Sequence, residues 1–405
     1  MRYKQTGIAF LCILLIFVIM GFIIHHATQL VHPTSISLAP SPSPSLPAQW
    51  MTISSPNFGS GDNELAAIAA VGAQEAWAVG FSKNNSNGYY STLIEHWNGA
   101  SWAVAPSPNA GNGNNFLAGI TVVDAQNAWA VGEYQARSSQ EDQALIERWN
   151  GTAWAMVPSP NSNNVSRFLF GVTAMNANDA WAVGESQAPS MTPHTLVEHW
   201  NGTGWVVVPS PNPGSLNNKL FDIAAVNASD VWAVGEFQDS SSKENQTLIE
   251  HWNGNSWMVV PSPNPSTIND VLAGISVVDA QDIWADGYAK GTASSQTLIE
   301  HWNGSSWMVV PSPNPGDGNN ELFHLDAIAP NNVWTVGNYQ TGSGNLLTLI
   351  ERWNGSSWVL QTSPNPGNEN NSLDGIAVVD AHHVLAVGTF QNSSPFQTLI
   401  LQGGF

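Results

Sequence analysis

Cysteine and basic residues are scarce in this chain of 405 residues. Cys12 is the only cysteine, so no disulfide can form within the chain and the fold has to be held together by packing. The chain has 10 Lys and Arg against 30 Asp and Glu, and all 30 acidic residues follow position 49. Because such a surface repels phosphate backbones and other copies of itself, we expect no nucleic-acid partner and a monomer.

Motifs for catalysis and for cofactors are also missing. No Ser-His-Asp order, zinc-ligand spacing or phosphate-binding glycine loop stands out, and the Asn- and Gly-rich links lack the spacing of a calcium loop. We therefore expect no cofactor and no catalytic residue, and the sequence leaves the metal content unknown. These absences favour a binding module over an enzyme.

The first 48 residues differ in composition from the rest. Residues 1–6 carry Arg2 and Lys4, and residues 7–25 form an apolar segment close to the minimum length of a membrane-spanning helix. Basic residues before such a segment predict a cytoplasmic tail and a single-pass protein of the cell membrane whose remainder is extracytoplasmic. The alternative is a cleaved signal peptide. Residues 26–48 are rich in Pro and Ser and predict a stiff linker.

Repetition is what the rest of the chain has in abundance. A W-A-V-G-like tetrapeptide recurs at intervals of 50 to 52 residues, and its closing glycines are Gly80, Gly132, Gly184, Gly235, Gly287, Gly337 and Gly388. A period of this size is typical of an array of supersecondary units, none of which can bury its apolar face alone. The seven copies predict one domain over residues 49–405.

One copy, best seen in residues 230–278, contains apolar runs that predict four short strands. Asn253-Gly254 separates the third strand from the fourth, and this dipeptide predicts a hairpin with a type I′ turn. Four strands in every ~50 residues are typical of one blade of a β-propeller.

The two ends of the array complement each other. Residues 50–57 match the fourth strand of a copy without the other three, and the last copy ends before its fourth strand. We therefore predict an all-β, seven-bladed β-propeller of four-stranded blades. Residues 50–54 should pair with residues 398–401, so that the N-terminal strand completes the last blade and no sheet edge is left exposed there.

The 19 tryptophans recur in the second, third and fourth strands of the copies. A residue repeated in this way is most simply part of the core, where each ring buries a large area. Glu-His pairs such as Glu250-His251 resemble metal ligands or acid/base pairs, but Glu147-Arg148 occupies the same place in another copy. Since arginine neither ligates a metal nor acts as a base, we expect these pairs to be structural.

The order W-A-V-G, a variable stretch, T-L-I-E-H-W-N-G-S-S-W and V-V-P-S-P resembles the kelch repeat. It has the Gly-closed second strand, the aromatic-ended third strand and the Trp-led fourth strand. The resemblance extends over all seven copies and implies a propeller. The Gly-Gly doublet usual in kelch repeats is missing, because Gly235 is followed by Glu236. Uncharacterised bacterial surface proteins with W-A-V-G and H-W-N-G repeats are similar as well.

The stretches between the second and third strands differ from copy to copy, whereas the strands are nearly copied. They are residues 81–91, 133–143, 185–194, 236–246, 288–296, 338–347 and 389–397. Aromatic residues recur near their starts, namely Tyr134, Phe237, Tyr288, Tyr339 and Phe390. Aromatic rings beside amides and hydroxyls suit a protein or a cell-surface glycan as ligand, so we expect these residues to bind it. The alternative is that the rings only extend the strand.

Charged residues interrupt the strand that should line the propeller channel. Its third residue is Ala67, Gly119, Gly171, Asp222, Gly274, His324 and Gly375 in the successive copies, and two residues further on only the sixth copy carries a charge, Asp326. Asp222, His324 and Asp326 could hold a cation or act as an acid/base pair. This cluster keeps a carbohydrate-active hydrolase or lyase as the alternative function, and a hydrated polar wall is the simpler interpretation.

Overall fold

A computed structural model describes residues 49–404 except 136–140, 162–163, 190, 242–243 and 381. The predicted tail, anchor and linker, residues 1–6, 7–25 and 26–48, lie outside this part of the chain. Within these described residues the structure contains β-strands and no helix. No helix found there is long and apolar enough to cross a membrane.

The strands follow one another in groups that match the sequence copies, here called repeats 1 to 7. The first strand of the chain, β1, is Met51–Ile53. Repeat 1 contains β2 (Asn63–Gly72), β3 (Glu75–Lys83), β4 (Tyr90–Trp97) and β5 (Trp102–Ala105). Repeat 2 contains β6 (Asn115–Asp124), β7 (Asn127–Tyr134), β8 (Gln143–Trp149) and β9 (Trp154–Met156). Repeat 3 contains β10 (Ser166–Asn176), β11 (Asp179–Gln187), β12 (His194–Trp200) and β13 (Trp205–Val207).

The remaining strands continue this order. Repeat 4 contains β14 (Asn217–Asn227), β15 (Asp230–Gln238), β16 (Asn245–Trp252) and β17 (Trp257–Val259). Repeat 5 contains β18 (Asn269–Asp279), β19 (Asp282–Lys290), β20 (Ser295–Trp302) and β21 (Trp307–Val309). Repeat 6 contains β22 (Asn320–Ala329), β23 (Asn332–Gln340), β24 (Leu346–Trp353) and β25 (Trp358–Leu360). Repeat 7 contains β26 (Asn371–Val378), β27 (Val384–Gln391) and β28 (Phe396–Gly403).

Each repeat forms an antiparallel sheet in which strands that are consecutive in sequence lie side by side. A single parallel pair between Asn245 and Asn269 joins the sheets of repeats 4 and 5. In repeat 7 the fourth place is taken by β1, which pairs with β28 so that Thr52 lies opposite Leu401. The predicted pairing of the two ends of the array is confirmed.

The first strands of the repeats contact one another in a closed cycle. The contacts run from β2 through β6, β10, β14, β18 and β22 to β26, and β26 contacts β2.

Close approach of neighbouring strands within each sheet explains the glycine of the tetrapeptide. A Cβ on Gly235 would lie 2.0 Å from the backbone oxygen of Lys219 on the neighbouring strand, so only glycine fits there.

The core of the described part consists of seven hydrophobic clusters, each shared between two adjacent repeats. Trp181, Leu220 and Trp257, for example, join repeats 3 and 4. Leu65 and Ile400 belong to the cluster that joins repeats 7 and 1. All 19 tryptophans lie within or against these clusters, so the predicted core role of tryptophan is confirmed.

The hairpin between the third and fourth strands is present, but its turn differs from the predicted type I′. Trp252 pairs with Trp257, so residues 253–256 form the loop. Gly254 has a positive φ of 87°. Asn253 Oδ1 accepts hydrogen bonds from the N–H groups of Asn255 and Ser256, each at 3.0 Å. These hydrogen bonds to the Asn253 side chain close the loop. A type I′ turn would instead need a positive φ at both central residues, and only Gly254 has one.

Removal of residues 1–57 should destabilise the protein, because it strips β1 from repeat 7 and exposes the edge of β28. The deletion also removes the buried Trp50, and loss of a buried tryptophan side chain costs about 3–5 kcal/mol. We expect a lower melting temperature and aggregation, measured by calorimetry and light scattering. Deletion of residues 1–47 keeps β1 and is the matched control. A 1–57 deletion as stable and monomeric as this control would contradict the role of the clasp.

Candidate functional site

The first strand of every repeat carries a β-bulge near its start. In repeat 1 the register shifts between Leu65 and Ala67, so Ala66 is the extra residue. The same shift occurs in the other six repeats. The bulge residues are Ala66, Ala118, Phe170, Phe221, Ala273, Phe323 and Asp374, and all of them are half-buried. Leu65, next to the bulge, is buried in the core, whereas the bulge residue Ala66 is half-buried.

Asp222 and His324 approach each other across the first strand of repeat 5. The distance from His324 Nε2 to Asp222 Oδ2 is 3.8 Å. Between them, β18 carries Gly274 at the equivalent position, and a Cβ on Gly274 would lie 2.9 Å from the Cα of His324. The missing side chain therefore lets the two polar groups meet.

Hydrogen bonds tie both carboxylates of the predicted cluster to the following first strand. The Ile275 N–H donates to Asp222 Oδ2 at 2.9 Å, and the Val378 N–H donates to Asp326 Oδ2 at 2.7 Å. Burial raises the pKa of Asp222 and of Asp326, while His324 and these backbone donors oppose the rise. The structure thus brings Asp222 and His324 together. Asp326 lies further along β22 and accepts backbone N–H groups of its own, but its charge still acts on both Asp222 and His324.

The geometry gives no support to a metal ion at this cluster. Across the residues with a described position, no group of three or more His, Cys, Asp or Glu side chains could hold one. The two oxygens of Asp222 accept the N–H groups of Ile223 at 2.8 Å and Ile275 at 2.9 Å. Each oxygen of Asp222 thus already accepts one backbone N–H group.

Asp286 is a buried acid that the sequence reasoning missed. It replaces the valine of the tetrapeptide in repeat 5, which reads W-A-D-G, and it is fully buried. Thr335, which replaces the alanine of the tetrapeptide in repeat 6, donates a hydrogen bond to Asp286 Oδ2. Burial raises the pKa of Asp286 to about 8, against the effect of this hydrogen bond. The two exceptions, W-A-D-G and W-T-V-G in consecutive repeats, are the signal from which this pair could have been found.

Asp374 is a second acid that was missed. It is the bulge residue of repeat 7, at a position where the other repeats have Ala or Phe. The Ser372 hydroxyl donates to Asp374 at 3.1 Å, and burial raises the pKa of Asp374 to about 7. Burial, together with the neighbouring Asp374 carboxylate, raises the pKa of Glu64 on β2. Two carboxyl groups therefore share the junction between repeats 7 and 1.

The five aromatic residues expected to bind a ligand lie near the ends of their second strands, each in a different repeat. All five, Tyr134, Phe237, Tyr288, Tyr339 and Phe390, are half-buried. Four of them pack against core clusters, and each of these four contacts a different cluster; they are Tyr134, Phe237, Tyr339 and Phe390. This packing agrees with the alternative that the rings extend the strands, and their role in binding stays a prediction.

The variable stretches lie beside the links that lead into the next repeat. The Tyr90 N–H donates to Asn114 Oδ1 at 3.1 Å, and the Ser295 N–H donates to Asn319 Oδ1 at 3.0 Å. In both cases the end of a variable stretch is bound to the residue just before a first strand. The variable stretches and the bulge residues therefore belong to the same end of the sheets, which we call the variable face.

The Glu-His pairs have structural contacts, as expected. The ring of His251 stacks on Trp232 with centroids 4.1 Å apart, and its Nε2 lies 2.8 Å from Asp230 Oδ1. In repeat 2, where Arg148 replaces the histidine, the facing acid is replaced by an amide, Asn127, whose Oδ1 accepts from Arg148 Nη2 at 3.2 Å. The basic residue and its partner thus change together between repeats.

The glutamates of these pairs are fully buried. They are Glu95, Glu147, Glu198, Glu250, Glu300 and Glu351. A serine of the preceding link donates to the first three, as Ser107 does to Glu147 at 3.0 Å. Within the described residues, both carboxyl oxygens of Glu250, Glu300 and Glu351 have no hydrogen-bond partner. Burial raises the pKa of Glu147 to about 8 and that of Glu300 to about 9.

Comparison with solved structures identifies the fold. The structure of YCF48 bound to a D1 peptide superposes with a TM-score of 0.54 at 14% identity, covering 89% of this chain and 100% of that chain. A protein of unknown function from Dyadobacter fermentans DSM 18053 gives a TM-score of 0.53 at 12% identity, covering 89% of this chain and 98% of that chain. Together with the sheet arrangement, these similarities show a β-propeller-like fold of repeated four-stranded sheets.

No protein-family model matches the chain, and no curated protein matches it. The resemblance to kelch repeats therefore stays a prediction.

The buried glutamates should make the protein less stable at alkaline pH. Glu300 keeps its proton up to about pH 9 in the folded chain, whereas an ordinary glutamate loses it near 4.5. The folded state therefore binds more protons across this range, and the free energy of unfolding falls as the pH rises through it. Each unit of pKa separation corresponds to about 1.4 kcal/mol.

Glu300→Gln should flatten this dependence by at least about 1 kcal/mol between pH 5.5 and 8.5, because the amide does not titrate. Urea unfolding, followed by tryptophan fluorescence, measures the free energy of unfolding at each pH. The slope of this free energy against pH does not depend on any pH-independent destabilisation that the amide causes. Glu369→Gln, at a partly exposed position, is the matched control and should keep the parent slope. A parent whose stability increases from pH 5.5 to 8.5 would contradict the protonated state of these acids.

Proposed function

We propose that this protein is a membrane-anchored, extracytoplasmic, seven-bladed β-propeller that binds a protein or glycan ligand on its variable face. The observation that carries the proposal is the contrast between nearly copied strands and seven dissimilar stretches that lie beside the links between repeats. Loops that vary on a rigid scaffold are where binding residues concentrate.

Seven blades are supported by seven closing glycines, seven core clusters and the closed cycle of first strands. Support for the anchor and for the side of the membrane comes from the apolar segment at residues 7–25 and the basic residues before it.

A peptide is the ligand class to test first. YCF48, which has a similar fold, was solved with a D1 peptide bound to it. The large excess of acidic residues after position 49 favours ligands that are neutral or positively charged.

A hydrolase or lyase with its site at the axis is the second candidate. It is favoured by the contact between Asp222 and His324 in a half-buried wall. A general acid and a general base near one another are what such chemistry requires. Release of reducing ends or of unsaturated products from anionic and neutral polysaccharides would identify it.

Exchange of the variable loops should abolish binding. We suggest replacing residues 84–89, 291–294, 341–345 and 392–395 together by Gly/Ser stretches of equal length in the full chain, kept in detergent. Peptide and glycan arrays should then show at least a tenfold loss for every ligand of the parent protein. Replacement of the hairpin tip at residues 253–256, at the other end of the strands, is the control and should leave binding intact. Binding unaffected by the loop exchange would rule out these four stretches as the binding surface.

A further inference from the structure

The hairpin tips between the third and fourth strands form a second repeated surface, at the opposite end of the sheets from the variable face. The tips of repeats 1 to 6 all begin with Asn-Gly. In four of them the next residue is Thr or Ser, and we call these the tip sequons: residues 150–152, 201–203, 303–305 and 354–356. Asn-x-Ser/Thr is the sequence in which asparagine accepts an N-linked glycan on exported proteins.

The asparagine side chains of the tip sequons share one arrangement. Asn201 Oδ1 accepts hydrogen bonds from the N–H groups of Thr203 and Gly204 at 3.0 and 3.2 Å, and from the Thr203 hydroxyl at 2.7 Å. The hydroxyl bond recurs in the other three tip sequons at 2.7 to 2.8 Å. Because these donors all meet the oxygen, the amide nitrogen Nδ2, which is the atom that bonds to a sugar, is left at the other end of the amide.

This nitrogen is accessible. The asparagine of every tip sequon is exposed. Within the described residues, Nδ2 of Asn150 and of Asn201 donates no hydrogen bond, and Nδ2 of Asn354 donates only to the exposed Ser357 hydroxyl at 3.3 Å. A bulky, hydrated glycan can therefore be joined at these tips without displacing a packed side chain.

The same three-residue pattern is closed to modification where it lies inside a sheet. Residues 245–247 read Asn-Gln-Thr and belong to β16. There Asn245 Nδ2 donates to Glu236 Oε2 at 2.6 Å, and the hydroxyl of the buried Thr247 lies 2.6 Å from Ser262 Oγ. The sequence pattern is equal in the two settings, so the structure is what distinguishes the tip sequons.

We propose that the asparagines of the tip sequons carry N-linked glycans. Asparagine Nδ2 forms a bond to C1 of the first sugar of a lipid-diphosphate-linked oligosaccharide, the C1–O bond to the diphosphate breaks, and Nδ2 gives one proton to a base of the transferase. Asn84 and Asn227 make the same hydroxyl contact outside the hairpin tips, with Ser86 and Ser229, and we expect the same modification there.

This inference rests on the proposed function, because it requires the propeller to be extracytoplasmic, where exported chains receive such glycans. It also adds to that function. Glycans at the hairpin tips cover the end of the sheets opposite the variable face and leave the variable face open to its ligand.

Mass spectrometry of proteolytic peptides tests the proposal on the full chain isolated from the membranes of its own cells. We expect a sugar mass on the asparagine of each tip sequon and none on Asn98, Asn253 or Asn245. Asn98 and Asn253 begin the same hairpin tips but have Ala100 and Asn255 in place of the hydroxyl residue. Asn245 has the sequence pattern without the accessible nitrogen.

Three variants produced in the same cells locate the modification. Thr203→Ala removes the hydroxyl and should lower the mass of the full chain by one glycan, whereas Thr203→Ser keeps the hydroxyl and should keep the glycan. Ala100→Thr completes the pattern in repeat 1 and should add one glycan at Asn98. Both positions are exposed, and circular dichroism with the melting temperature checks that each variant folds.

Unmodified asparagines in all four tip sequons of the native protein would overturn the inference, and so would sugar on Asn98 or Asn245. A membrane-impermeant amine label on intact cells separates this result from a failure of the proposed function. Labelled protein without sugar refutes the glycans alone. Protein that the label does not reach refutes both the extracytoplasmic location and the glycans.

Discussion

The packing of tryptophans across the joints between repeats is the interaction on which the rest of the structure depends. Trp181, on the second strand of repeat 3, packs against Trp252 at 5.0 Å and Trp257 at 5.6 Å on the third and fourth strands of repeat 4. An isolated four-stranded sheet of this composition would expose such rings, and only a neighbouring repeat covers them. The joint between repeats 6 and 7 follows the same rule with a tryptophan from the N-terminal end of the array. There Trp334 packs against Trp50, with ring centroids 5.7 Å apart.

This rule explains which features of the fold could be predicted from sequence. Rings, closing glycines and strands recur with the same period, so each copy supports the interpretation of the others, and the missing fourth strand of repeat 7 could be matched to residues 50–57. The hairpin turn was assigned wrongly because Asn-Gly usually marks a two-residue turn, whereas here the tryptophans on either side pair directly and leave a longer loop that Asn253 caps.

The candidate site was only partly predictable, for two physical reasons. Asp222 and His324 stood out as charges among small residues, but their contact depends on Gly274 in the strand between them, a relation across three repeats. Asp374 was overlooked because a β-bulge shifts the alternation of inward and outward residues, and the period of two used to read a strand does not reveal a bulge. Asp286 was overlooked because one substitution in a tetrapeptide looks neutral until its partner Thr335 is placed beside it.

The burial of acids at the joints also changes how the protein behaves in an electric field. The formal net charge of −20 at pH 7 counts every carboxyl group as ionised. Burial raises the pKa of Glu95, Glu147 and Asp286 to about 8 and that of Glu300 to about 9, so these groups stay neutral at pH 7 in the folded chain. The native protein should therefore migrate more slowly toward the anode than its composition implies, and its isoelectric point should lie above the sequence value of 4.6. An anionic polymer approaching the native surface meets correspondingly weaker repulsion.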